Sequence, residues 1–122
     1  MYCIIVQLKL YLRLKRIIAY GHYYTDFYSS LSPKEKDKVD RIMMLMQSCD
    51  RMPTHFIAPV IDGIFELRIS VPNKELRILF IYDNENIVIL LNCFVKRTQK
   101  TPRSEITKAL RIKKQYYDST KG

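Results

Sequence analysis

Histidine, cysteine and glycine are all scarce in this chain. The two histidines, His22 and His55, lie 33 positions apart, which leaves metal chemistry almost no ligands to draw on. No metal and no other cofactor is expected. The three cysteines, Cys3, Cys49 and Cys93, are odd in number, widely spaced and without a CxxC pair. That argues against a disulfide framework and a zinc site, and fits a reducing, cytoplasmic setting. Three glycines give the chain few hinges, and neither internal repeats nor low-complexity segments occur. A membrane-spanning run is missing too. The apolar-looking stretch Met1–Tyr20 is interrupted by Lys9, Arg13, Lys15 and Arg16, well short of the ~20 apolar residues a spanning helix needs. It has no small-residue cleavage site, so a signal peptide and a membrane partner are not expected.

What is present is the composition of one globular domain over residues 1–122, with 48% hydrophobic and 27% charged residues. The net charge of +9 is unevenly spread. Residues 1–16 carry four basic side chains and no acid, residues 17–95 carry eight basic and ten acidic, and residues 96–122 carry nine basic and two acidic. A basic C-terminal quarter is the footprint of a polyanion partner. It is also what a solvated, lysine-rich helix face looks like, and charge alone leaves both readings open.

Leu8, Leu10, Leu12 and Leu14 alternate with Lys9, Tyr11, Arg13 and Lys15, which places a first strand within Leu8–Tyr20. Phe27, Tyr28 and Leu31 fit a short helix. Ser32 then reads as an N-cap, Pro33 as the first helical residue and Glu35 as the closing member of a capping box. The spacing of Val39, Ile42, Met43 and Met46 predicts an amphipathic helix to about Gln47, with Lys34, Lys36, Asp37, Lys38, Asp40 and Arg41 facing water. Ser48–Gly63, with Pro53, Pro59 and Asp62-Gly63, reads as a connecting segment. Three strands follow, Ile64–Ser70, Leu76–Tyr82 and Ile87–Val95, joined by short links into an antiparallel meander. Thr101-Pro102 opens a last helix with Glu105 in its first turn and Ile106, Ala109 and Leu110 on one face. The fold class is therefore α+β: an antiparallel sheet with two N-terminal helices packed on one face, and a C-terminal helix.

Alternate strand residues face opposite sides. Phe65, Leu67 and Ile69 form one apolar face, as do Ile87, Ile89, Leu91, Cys93 and Val95. The other face then gathers Glu66, Arg68, Arg77, Asn92, Phe94 and Lys96, with Glu66 its only carboxylate. Cleaving RNA by attack of a 2′-OH on the adjacent phosphate needs stabilisation of extra negative charge, which arginine forks and lysine ammonium groups supply. A carboxylate can act as general base, and an aromatic ring can stack on a splayed base. A Glu and an Arg two apart on a strand equally make an ordinary salt-bridge set on a wet face, and periodicity alone favours that reading. His22 and His55 lie outside the group and read as structural or surface residues.

Three stretches carry a resemblance: Asp62-Gly63-Ile64-Phe65-Glu66-Leu67-Arg68, then Leu76-Arg77-Ile78-Leu79, then Asn92-Cys93-Phe94-Val95-Lys96-Arg97-Thr98-Gln99-Lys100-Thr101-Pro102, continued by Glu105-Ile106 and Ala109. In that order and spacing, over about residues 16–117, the chain resembles the phage Gp49-like branch of the RelE/HigB superfamily of toxins. The resemblance implies a small RelE-like domain and an mRNA interferase, an endoribonuclease that cuts translated mRNA on the ribosome. It implies as partners the ribosome, mRNA and a helix-turn-helix antitoxin encoded nearby, with operator DNA met only through the antitoxin complex. By position it makes Arg68, Arg77 and Lys96 the phosphate-binding and catalytic group and Glu66 a base or orienter. Arg97 and Lys100 become RNA contacts, beside Phe94 and Asn92. Lys96-Arg97 stands where the branch usually has two lysines, which keeps charge and alters geometry. Residues 1–14 precede the match and read as a lengthened first strand or as an N-terminal extension from an upstream start codon.

Two other readings stay open. One is a non-catalytic toxin of the same fold, of the ParE-like type that poisons DNA gyrase. Such proteins generally lack the paired strand arginines and the KRTQKTP run. The other is a basic nucleic-acid-binding module without chemistry, which would survive loss of Arg68 or Lys96 with only weakened, salt-dependent binding.

Overall fold

A computed structural model describes residues 14–120. The described elements are β1 (Arg16–Ala19), α1 (Tyr23–Ser29), α2 (Pro33–Ser48), β2 (Ile57–Ile61), β3 (Ile64–Val71), β4 (Lys74–Asn84), β5 (Ile87–Lys96) and α3 (Arg103–Thr120). The strands form one five-stranded sheet in the order β1-β5-β4-β3-β2. The fold is thus mixed α+β with a C-terminal helix.

The meander forms as the pattern indicates, β3 to β4 to β5, all antiparallel. Its turns follow from local chemistry. Asp62 and Gly63 both hold positive φ, 49° and 77°, the requirement of the type I′ turn that matches strand twist. Pro72 supplies the fixed φ that opens the next turn, and Asn73 takes φ 65°, as a type II turn demands. That two-residue turn lets pairing run to Val71 and Lys74, so β4 begins earlier than expected and includes Glu75.

Two expectations need correction. The sheet is not wholly antiparallel, because β1 pairs with β5 in parallel, Arg16 opposite Ile87 through Ala19 opposite Leu90. Hydropathy reports which face a strand buries and is silent on the direction of its neighbour. Ser48–Gly63 also contains a strand, β2, which pairs antiparallel with β3. Pro59 disguised it; proline lacks a donor and is confined to edge strands or bulges, and β2 is an edge strand with a register shift between Pro59 and Ile61. The alternating leucines before Leu14 lie outside the described residues.

Two apolar clusters form. Leu31, Val39, Ile42 and Met46 meet Leu67, Ile69, Leu76, Ile78, Phe80, Val88 and Leu90, with Tyr24 and Phe27 of α1 against them. Ala109 and Ile112 of α3 meet Ile64, Leu79, Ile81, Ile89, Leu91 and Phe94. The single apolar face expected along β5 is divided between the clusters: Ile87, Ile89 and Leu91 join the second, Cys93 and Val95 the first. The cause is a bulge. Ile78 pairs with Cys93 but Phe80 pairs with Leu90, so two β5 residues face Leu79 and the alternation changes phase there.

Side chains tie the elements together. Ser32 and Glu35 form the complete capping box of α2, and Glu35 also bridges to Lys74 at 3.2 Å. Lys15, 8% exposed, donates to the Cys49 carbonyl beyond the end of α2, where the helix dipole favours a cation. Lys113 of α3 donates to the Asp62 carbonyl, and Tyr116 donates to Asp83 at 2.6 Å. Part of the basic C-terminal helix therefore holds the fold together. Among the described residues, no helix is long and apolar enough to cross a membrane.

Candidate nucleic-acid interface

Register decides what the sheet presents. Arg68 stands opposite Arg77, and Arg77 opposite Phe94. One step further along, Ser70 stands opposite Glu75, and Glu75 opposite Lys96. Directly opposed residues share a face, so Glu66, Arg68 and Ser70 come together with Arg77, Glu75 and Lys96. An open cleft of about 570 Å³ lies here, walled by Arg68, Glu75 and Arg77 on the strands and by Lys96, Arg97, Thr98 and Gln99 where β5 runs out.

Two guanidinium groups opposed in register repel one another, and a carboxylate between them resolves the conflict. Glu66, 3% exposed, accepts from Arg68 Nε at 2.9 Å through Oε1, and the same oxygen lies 3.6 Å from Arg77 Nε. Its other oxygen, Oε2, accepts from the Thr101 hydroxyl at 2.6 Å. Burial alone pushes the Glu66 pKa up. The hydrogen bonds from Thr101 and Arg68, with the charges of Lys96 and Arg77, more than reverse this, and it ends below the ordinary carboxylate value. Glu66 is therefore a fixed anion and a poor proton acceptor. It orients the two arginines.

Glu75 is a second carboxylate on this face, so Glu66 is not the only one. It accepts from Ser70 Oγ at 2.9 and 3.0 Å and from Arg77 Nη1 at 3.2 Å. Arg77 also donates through Nη1 to the Leu76 carbonyl at 3.0 Å, while its buried Nε has no hydrogen-bond partner. Arg68, with 42% of its side chain exposed against 8% for Arg77, is the more accessible fork. The cleft thus holds four cations, Arg68, Arg77, Lys96 and Arg97, against two carboxylates already engaged in pairing.

The residues singled out in the sequence fare differently. Arg68, Arg77, Lys96 and Arg97 line the cleft, with Glu66 bonded beneath them. Lys100 is exposed, but it is not among the cleft's walls. Phe94, 9% exposed, sits in the cluster under α3; its ring is core and not an open stacking platform. Asn92 is fully buried at the β5 bulge and donates to the Glu105 carbonyl at 3.0 Å and to Glu105 Oε1 at 2.9 Å. Its amide anchors the start of α3 and is closed to an RNA. Both stay on the face of Arg77, and α3 closes them off: Phe94 packs in its cluster and Asn92 bonds its Glu105, which strand alternation does not foretell. Thr101 and Glu75 were the residues missed. Thr101 acts across 35 positions, and Glu75 was hidden by reading the turn as too long. Cys93 is no nucleophile: burial, with Glu105 nearby and Lys108 only partly opposing, pushes its thiol up to about 12.

A separate groove of about 520 Å³ between β1 and α2 is lined chiefly by Ile17, Ala19, Tyr24, Met43, Met44 and Leu90. It gathers no cations and offers an anionic substrate nothing. A comparison with proteins of curated function found no match. The model of the family described as phage-derived protein, Gp49-like, matches residues 26–114 and so takes in every wall of the cationic cleft. With nearly three-quarters of its length matched, the chain belongs to the family of Gp49-like phage-derived proteins.

Proposed function

We propose that this chain is a toxin of the RelE/HigB type that halts translation by cutting mRNA on the ribosome. Membership of the Gp49-like family supports a toxin-like protein. The observation that carries the reading further is the opposed pair Arg68 and Arg77, held by buried Glu66 at the edge of an open cationic cleft. Even with Glu66 and Glu75 paired to them, the cations of the cleft outnumber its carboxylates, and a phosphate supplies a further anion. As the 2′-oxygen attacks phosphorus, Arg68, Arg77 and Lys96 stabilise the charge that accumulates on the phosphoryl oxygens. Arg97 and exposed Lys100 contact flanking backbone. The protein works in the cytoplasm, is neutralised by a helix-turn-helix antitoxin encoded nearby, and meets operator DNA only within that complex.

Inducing the chain in cells, wild type beside Arg68→Ala and Lys96→Ala, and mapping mRNA 5′ ends tests this. New ends inside translated codons, lost in both folded variants, are the expected outcome. Growth arrest with intact mRNA and broken chromosomes would indicate gyrase poisoning instead. Absence of both toxicity and cleavage would leave a binding module without chemistry.

A further inference from the structure

His55 lies outside the sequence motifs, and the fold brings it beside the cleft. A second cleft, about 310 Å³, adjoins the first and shares its wall of Arg68, Glu75 and Arg77; its far side is built by Lys38, His55 and Phe56. The backbone fixes His55 there. Phe56 N–H donates to the Pro53 carbonyl at 3.0 Å, closing a turn around Thr54 and His55, and the Phe56 carbonyl accepts from Arg68 N–H at 2.7 Å. The imidazole lies against the Phe56 ring with centroids 4.0 Å apart. It is exposed and makes no hydrogen bond among the described residues.

From this geometry we infer that His55 is a catalytic residue of the cleft, accepting the 2′-OH proton of a single-stranded RNA whose scissile phosphate lies on Arg68 and Arg77. The inference rests on the RNA-cleaving reading and supplies what that reading lacks. Both Glu66 oxygens are engaged, and Glu75 is held by Ser70 and Arg77. Among the walls of the two clefts, His55 alone offers a ring nitrogen that can accept a proton and has no hydrogen-bond partner among the described residues. The charged and titratable groups facing it are Lys38 from α2, Arg68 from β3, and Glu75 and Arg77 from β4, with Ser70 beside them. In the step, the 2′-oxygen bonds to phosphorus as the bond from phosphorus to the 5′-oxygen breaks. The 2′-OH proton passes to the neutral imidazole, and the departing 5′-oxygen takes a proton from water. The products are a 2′,3′-cyclic phosphate and a 5′-hydroxyl, and the imidazolium returns its proton to solvent.

The test compares wild type with His55→Gln on ribosomes programmed with a short mRNA and on the same RNA alone. Cleavage is expected to slow by about 10²- to 10⁴-fold, the range for loss of a positioned general base. The limb of the rate profile that rises with pH should disappear. Binding to an mRNA carrying a 2′-deoxy nucleotide at the cut site, and the thermal melting curve, should stay as in wild type. Imidazole added to His55→Gly should restore part of the rate. Equal rates and equal pH profiles in wild type and His55→Gln overturn the role of His55 while leaving the RNA-cleaving reading standing. A slow variant with an unaltered pH profile and weakened binding overturns it too, by making His55 a binding residue. Failure of the wild type to cut either RNA overturns the reading itself, and the role of His55 with it.

Discussion

The Thr101 hydroxyl donates to Glu66 Oε2 at 2.6 Å, joining the loop after β5 to the buried end of β3. This bond fixes the carboxylate that in turn fixes two arginines, so a residue outside the cleft walls sets their geometry. Thr101→Val, which keeps the shape and removes the donor, should destabilise the fold by about 1–3 kcal/mol, the cost of an unsatisfied buried acceptor. The pH dependence should shift with it. The folded-state pKa of Glu66 lies below its ordinary value, so the carboxylate contributes stability that is present at neutral pH and lost as pH falls through that lowered value. With Thr101 gone, the folded-state pKa rises toward the ordinary value, so the carboxylate contributes less stability and its loss is complete at higher pH. Urea unfolding between pH 3 and 7 measures both effects.

Glu66→Ala tests whether the carboxylate is what makes the opposed arginines tolerable. Removing one partner of a buried ion pair costs about 3–5 kcal/mol, and Arg77, 7% exposed, has little access to water for compensation. Sulfate should then stabilise the variant more than the wild type, because it adds an anion beside Arg68 and Arg77 on top of its general effect on burial. Thermal melting with and without sulfate reads the difference. Equal increments in the two proteins would show that no anion site is exposed when Glu66 is removed.

Much of this was legible in the chain. Ser32, Pro33 and Glu35 announced α2 because a capping box is a local device, and Arg68, Arg77 and Lys96 met on one face because strands alternate. The rest depended on information that periodicity does not contain. Pairing direction placed β1 parallel to β5, one extra residue opposite Leu79 split the apolar face of β5, and the packing of α3 buried Asn92 and Phe94. His55 joined the cleft through the hydrogen bond between Phe56 and Arg68, a contact between residues 12 apart in sequence. Motif spacing cannot encode such a contact when the histidine lies outside the motif.

Asn92 separates structural from binding roles. Its amide holds both the carbonyl and the carboxylate of Glu105, so Asn92→Ala should cost about 1–3 kcal/mol and loosen the first turn of α3. Hydrogen exchange at residues 103–107 should quicken more than exchange in the strands. RNA affinity per folded molecule should stay unchanged. A selective loss of affinity with unaltered exchange would return Asn92 to the interface.

Arg97 should behave in the opposite way. It is exposed and lines the cleft without an ion-pair partner among the described residues, so it holds no structure together and Arg97→Ala should leave the melting temperature within error. A residue that neutralises one phosphate of a single strand contributes about 0.7 to the slope of log affinity against log salt. The variant should therefore bind an uncleavable RNA more weakly at low salt, with a slope shallower by about that amount, and converge on wild type as salt rises. Arg68→Ala should also lower the slope, but it frees Glu66 from the nearer of its two arginines and so shifts the stability of the fold at the same time. If Arg97→Ala left the slope unchanged, RNA would not run along the Lys96–Gln99 side of the cleft, and the phosphate path would have to leave Arg68 and Arg77 toward Lys38 and His55 instead.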